Sequence, residues 1–288
     1  MNKMKLSTKT FVADDSNDGF GVTSTLIMGE SDAILVDAQF TIANAHRLLA
    51  EIIESKKTLR KIFITHLHPD HYLGLEVIKE KYPEVEVFSY KKIADDINRA
   101  YEFKIDYWGN KTLKENGAKT KFNIKEENEK IIYLEGEELI ILGPMGGDCI
   151  EIAPLWIPSI STLIASDVVF SDVHIWIADM RTQERINLWM ESLDKLEKLN
   201  PRVVIPGHAQ KNSTFSPSAF SFTRSYIHNF LKLLKTTKNS KELISEVDRI
   251  YPGLPLRICL DYSAMILKDK MEWAGDWPES LRKLKTEL

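Results

Sequence analysis

The sequence predicts an α/β fold with a partly parallel sheet, on three observations. Apolar and β-branched runs of strand length alternate with helical periodicity between residues 22 and 205. The first complete unit reads strand, helix, strand, which calls for a right-handed crossover between parallel strands. The composition, 43% hydrophobic and 28% charged, is that of a chain able to bury a core, and 288 residues are enough for one large α/β core with an appendage.

The elements follow in order. Val22 to Met28 and Ala33 to Val36 are two β-branched, apolar runs around a polar turn containing Gly29, a hairpin that ends at Asp37. Ala43, Ala45, Leu48, Leu49, Ile52 and Ile53 recur at helical spacing over 42–56, and Lys61-Ile62-Phe63-Ile64-Thr65 is a short buried strand. Leu73 to Lys81 reads as a helix stopped by Pro83, with a strand at Val85 to Phe88. Residues 91–125, polar and aromatic by turns, suit a lid or an inserted helical pair. Strands are expected at 131–134, 139–142, 155–157 and 162–166, a helix over 184–199, and a last core strand at Val203-Val204-Ile205. Beyond Ser216 the pattern turns helical, with Phe222, Tyr226 and Phe230 on one face. The expected division is 1–215 for the main domain and 216–288 for a helical extension packed on it.

Charge and cysteine content narrow the partners. Lys and Arg total 38 against 42 for Asp and Glu, so the basic excess that selects nucleic acid or anionic membranes is missing. No stretch is long and apolar enough to span a bilayer, and the N-terminus runs into polar residues without an apolar segment. Cys149 and Cys259 stand far apart and form no disulfide framework. Together these features predict a cytoplasmic protein with neither nucleic acid nor membrane as partner.

The chemistry concentrates in Thr65-His66-Leu67-His68-Pro69-Asp70-His71, directly after a buried strand. Three imidazoles and a carboxylate in so short a segment offer the nitrogen and oxygen donors that suit zinc and related divalent metals. On extended chain His66 and His68 point to the same side, while Asp70 and His71 lie at a turn and can reach a second ion. The end of a strand is also where sites form in α/β sheets.

This His-x-His-x-Asp-His segment resembles the signature of the metallo-β-lactamase superfamily, and three further motifs fall in that family's order. Val36-Asp37 resembles its early aspartate, which braces the metal loop through hydrogen bonds. Ala165-Ser166-Asp167 resembles its metal-bridging aspartate, and Ile205-Pro206-Gly207-His208 its final histidine ligand. The resemblance covers roughly 20–210 and implies a four-layer αββα sandwich with a C-terminal helical extension. It also implies one metal position from His66, His68 and Asp167 and a second from Asp70, His71, Asp167 and His208.

One motif departs from the family. A Gly-His pair normally supplies a further histidine to the first position, but this chain reads Gly143-Pro144-Met145-Gly146-Gly147-Asp148-Cys149-Ile150-Glu151. By spacing, the missing ligand falls near Gly146. Asp148 is the preferred replacement, with Cys149, Glu151 or water as alternatives.

The resemblance implies a metal-dependent hydrolase of a small-molecule ester, thioester, lactone or β-lactam, in which Asp70 orients the attacking hydroxide. The expected metal is zinc, as one or two ions, with Mn²⁺ and Fe²⁺ as alternatives. Loss of the usual histidine leaves a second reading, a metal- or ligand-binding protein with little turnover. His174 follows a strand end on the expected active-site side and is a candidate to contact substrate, to supplement the metals or to pack beside Trp176. Aromatic residues in 101–108 and Trp176 fit an apolar pocket. The extension has two candidate roles, closure over the site and a homodimer contact through Phe222, Tyr226 and Phe230.

Overall fold

The computed structural model describes residues 6–14 and 19–275. The first residues, on which the leader reading rests, and the last thirteen of the extension lie outside them. Two mixed sheets pack face to face. The chain begins with β1 (Ser7–Val12), β2 (Thr23–Met28) and β3 (Asp32–Val36), followed by α1 (Ile42–Glu54) and β4 (Thr58–Phe63). It continues through α2 (Leu75–Lys81), β5 (Glu86–Tyr90), α3 (Lys91–Lys104) and β6 (Lys125–Glu127). The first sheet has the order β1-β2-β3-β4-β5-β6. Its first three strands are antiparallel neighbours, and β3 to β6 run parallel.

The second sheet is built from β7 (Ile131–Leu134), β8 (Glu137–Ile141), β9 (Leu155–Ile157), β10 (Thr162–Ser171) and β11 (Val203–Ala209). Its order is β11-β10-β9-β8-β7, with only β10 and β11 parallel. Every residue of β10 is buried, because the other sheet covers one face and α4 (Gln183–Glu197) and α5 (Ser218–Thr236) cover the other. Helices α6 (Ser240–Ile250) and α7 (Arg257–Lys268) complete the chain. The helical face expected from Tyr226 and Phe230 is inside the same core cluster as the sheets, with Phe222 packed against it. A dimer contact through Tyr226 or Phe230 is therefore not available. Among the described residues, no helix is long and apolar enough to cross a membrane.

The differences from expectation have local causes. Strand β1 is not predicted, because Ser7-Thr8-Lys9-Thr10 is polar and sits half-exposed at a sheet edge. Residues 91–125 do not form a helical pair. Helix α3 runs on through a π-helical segment, Ile105–Thr112, and a 3₁₀ turn, Lys114–Asn116, before β6. Strands β10 and β11 also run past the predicted ends, so Asp167 and His208 lie within strands rather than after them.

Candidate metal centre

The two sheets meet at one edge of the sandwich, and the site is drawn from both. Strand β4 ends at Phe63, and the chain then carries His66 and His68 into a 3₁₀ turn, Pro69–His71. From the other sheet, β10 contributes Asp167 through an irregularity. Its pairing with β11 shifts around Ser166, which takes a left-handed φ of 48°. Residue 207 must be glycine, because a Cβ there would fall 1.7 Å from Asp167 Oδ1 and 2.8 Å from its backbone nitrogen. Gly207→Ala is expected to push Asp167 out of place and lower metal affinity roughly 10–100-fold. Calorimetric metal titration, with circular dichroism to verify the fold, measures this.

The geometry forms two adjoining groups. His66, His68, Asp148 and Asp167 offer ligand atoms all within 4.8 Å of one another, and so do Asp70, His71 and His208. Asp167 stands between the groups. Its Oδ1 is 3.2 Å from His71 Nε2, and its Oδ2 is 3.1 Å from His208 Nε2 and 3.5 Å from His66 Nε2. Asp70 Oδ2 lies 3.6 Å from His71 Nε2 and 3.4 Å from His208 Nε2. The expected ligands are thus brought together, and Asp148 joins them with Oδ2 at 3.0 Å from His68 Nδ1.

Each imidazole is held by the nitrogen that faces away from the cluster. His71 Nδ1 donates to Asp37 Oδ2 at 2.8 Å, and His208 Nδ1 to the Phe20 carbonyl at 2.7 Å. His66 Nδ1 donates to Thr65 Oγ1 at 3.0 Å, and that hydroxyl in turn donates to Asp37. His68 Nε2 donates to Asp179 Oδ2 at 3.2 Å. When the rings are neutral, these hydrogen bonds place the proton on the outward nitrogen and leave the inward nitrogen of all four free to bind a cation. His66 Nε2, His71 Nε2, Asp148 Oδ1 and Asp167 Oδ1 are buried there without an aligned hydrogen bond. Buried polar atoms otherwise find partners, so this donor set fits a divalent cation.

Burial opposes protonation of the His68, His71 and His208 rings, but the neighbouring carboxylates outweigh it and raise all three, so a metal bound there would displace protons. Burial and the neighbouring His71 hold His66 down at about 4. For Asp179, burial is outweighed by the hydrogen bond to His68 and the charge of that ring, which hold the carboxyl at about 2. Burial works against ionisation of Asp167 too, but His71, His208 and His66 hold it well below the usual carboxylate range.

The sequence does not point to Asp179. It lies far along the chain from the ring it holds, and only the need of His68 Nε2 for an acceptor signals it. Nor can the sequence show the Phe20 carbonyl, a backbone group. Cys149 and Glu151 are turned elsewhere. The Cys149 thiol faces the Glu151 carbonyl and is raised by burial, and the Glu151 carboxylate pairs with Lys92.

His174 is displaced from its expected place. After β10, Asp172 takes a left-handed φ of 56° and carries the chain beneath the C-terminal helices. There the His174 backbone N–H donates to the Pro255 carbonyl, and Nδ1 accepts from the Tyr226 hydroxyl at 2.8 Å. It does not line the cavity beside the metal ligands. Burial holds it down at about 4, with Asp248 opposing that effect and Arg257 adding to it. The neutral ring is favoured in the fold, so its contribution is complete above pH 6.5 and is lost as pH falls toward 4. The loss approaches about 3 kcal/mol. His174→Asn should flatten this part of the stability-against-pH curve in denaturant titrations.

A cavity of about 510 Å³ opens over the ligands. Trp108, Trp176 and Trp273 form an aromatic wall, their rings meeting edge to face at 4.9–6.0 Å. Tyr101 is instead packed in the core against Tyr72. Lys104, Arg181 and Arg185 also line the cavity.

The family model of the metallo-β-lactamase superfamily matches residues 17–208. The chain belongs to this superfamily. Its structure is similar to that of a metallo-β-lactamase family protein from Thermus thermophilus, at 17% identity over 96% of this chain and 94% of that one, with a TM-score of 0.64. A β-lactamase domain protein from Burkholderia ambifaria matches at 13% identity over 91% and 84%, with a TM-score of 0.61. A metallo-β-lactamase from Pontibacter korlensis matches at 18% identity over 78% and 95%, with a TM-score of 0.54. At these identities the likeness is one of fold. No curated protein matches the chain. The sandwich is thus the superfamily's, and α5 to α7 lie beyond the segment its model matches.

Proposed function

We propose that the protein is a metal-dependent hydrolase of a small-molecule ester, thioester, lactone or β-lactam. The observation that carries this reading is the set of buried, tautomer-fixed imidazoles and carboxylates at the floor of an apolar cavity large enough for such a substrate. A bound divalent cation, zinc being the superfamily's expected choice, supplies Lewis acidity and brings the pKa of water near 7. His66, His68, Asp148 and Asp167 would hold one ion, and Asp70, His71, His208 and Asp167 another. Asp70 lies beside His71 and His208 with its carboxylate at the cavity surface, placed to accept a proton from water and aim it at a carbonyl carbon.

The tryptophan wall would take an apolar acyl or leaving group, and Lys104, Arg181 and Arg185 suit an anionic group on the same molecule. The test is hydrolysis of a panel of esters, thioesters, lactones and β-lactams by metal-stripped protein, before and after addition of Zn²⁺ or Mn²⁺. Turnover is expected only after addition, and no metal-dependent turnover on any class would sink the reading.

A further inference from the structure

We propose that Asp148 turns the first metal position into a carboxylate-rich site suited to manganese(II), an oxygen-preferring cation, rather than to zinc. This rests on the metal-site part of the function proposed above and not on hydrolysis.

The loop is built around Asp148. At Gly146, where spacing places the missing imidazole, a Cβ would lie 3.1 Å from Leu188 and Trp189 atoms of α4, so that position faces the helix. A short bridge between Met145 and Ile152 closes the loop. The Asp148 backbone N–H donates to the Asp167 carbonyl at 3.1 Å, which fixes the residue beside the bridging aspartate. Its side chain is 1% exposed, with Oδ2 at 3.0 Å from His68 Nδ1 and Oδ1 buried without a hydrogen bond. The other candidates are occupied, Cys149 by a backbone carbonyl and Glu151 by Lys92.

With Asp148 in place, each position draws two imidazole nitrogens and two carboxylates. His66 and His68 join Asp148 and Asp167, and His71 and His208 join Asp70 and Asp167. The pair then shares three carboxylates where a histidine at 148 would leave two. Imidazole suits zinc, while carboxylate oxygen suits manganese and magnesium. Exchanging one for the other moves the first position's preference toward the harder ion. The Asp179 carboxylate on His68 Nε2 adds negative charge beside the same position.

The test uses the full chain, stripped of metal, with MnCl₂ and ZnCl₂ alone and in competition. Binding is followed by calorimetry and by the electron paramagnetic resonance of manganese(II). The wild-type chain is expected to take two manganese ions whose signals are spin-coupled. Asp148→His should raise the preference for zinc over manganese at one position by about tenfold or more and leave the other unchanged. The isosteric Asp148→Asn should lose one manganese equivalent, with circular dichroism and the retained second equivalent verifying its fold. A single manganese in the wild type, or equal discrimination by all three proteins, overturns the proposal. Full manganese occupancy together with no turnover on any substrate class, with Mn²⁺ or with Zn²⁺, would refute the hydrolase reading and leave this one standing.

Discussion

Replacing Asp167 with asparagine is expected to lower metal-dependent kcat/KM by on the order of a thousandfold or more and to reduce the metal content of the purified protein. The carboxylate is 1% exposed and lies within 3.5 Å of His66, His71 and His208, so it is the group common to both sets of ligands. Asparagine keeps the shape and one oxygen but removes the charge. Metal-assisted hydrolysis draws several kcal/mol from its cation, and each 1.36 kcal/mol is a decade in rate. The measurement pairs steady-state kinetics with metal analysis of the same sample. A variant that kept full metal and full turnover would remove Asp167 from the centre.

The second large effect is expected at Asp37, which touches no metal candidate position directly. Its carboxylate accepts from the Thr65 N–H at 2.9 Å, from the Thr65 hydroxyl and from His71 Nδ1 at 2.8 Å, all in the interior. Asp37→Ala leaves those donors unsatisfied, at about 1–3 kcal/mol each. It also places alanine at a left-handed φ of 59°, which costs about 1 kcal/mol more. At the low end of these ranges the loss is about 4 kcal/mol, which should lower Tm by roughly 8–16 °C, given about 2–4 °C per kcal/mol in a large domain. Metal affinity should fall roughly 10–100-fold, because the alignment of His66 and of His71 both pass through this group. Asp37→Asn tolerates the left-handed backbone and should lose less stability while still weakening metal binding. Thermal unfolding and calorimetric titration of both variants separate the two contributions.

Much of this centre is legible in the sequence because its chemistry is local. His66, His68, Asp70 and His71 lie on one short loop after a hydrophobic strand, and such a cluster is hard to read any other way. Asp37, Asp167 and His208 become legible only through the resemblance to the superfamily, whose motif order they match. What stays hidden depends on the path of the backbone. Asp179 reaches His68 only because the chain after β10 doubles back, and His174 misses the cavity because of the turn at Asp172. The ends of β10 and β11 are underestimated for a related reason. Ser166, Asp167, Pro206 and Gly207 read as turn residues, yet a second sheet and two helices hold them in strands. The choice among Asp148, Cys149 and Glu151 requires knowing which way each side chain faces within a single loop.

The seam on which the site stands has a kinetic meaning. Its histidine loop follows β4 in one sheet, while Asp167 and His208 ride on β10 and β11 in the other, far apart along the chain. Loop-closure entropy makes such non-local pairings slow to form. The complete ligand set exists only once the two sheets have docked, so neither half offers it during early collapse. An ion bound there would act as a latch on the finished fold. It should slow the unfolding limb of a chevron plot and leave the refolding limb nearly unchanged. In a living cell the same latch would lengthen the time a metal-loaded molecule resists proteolysis.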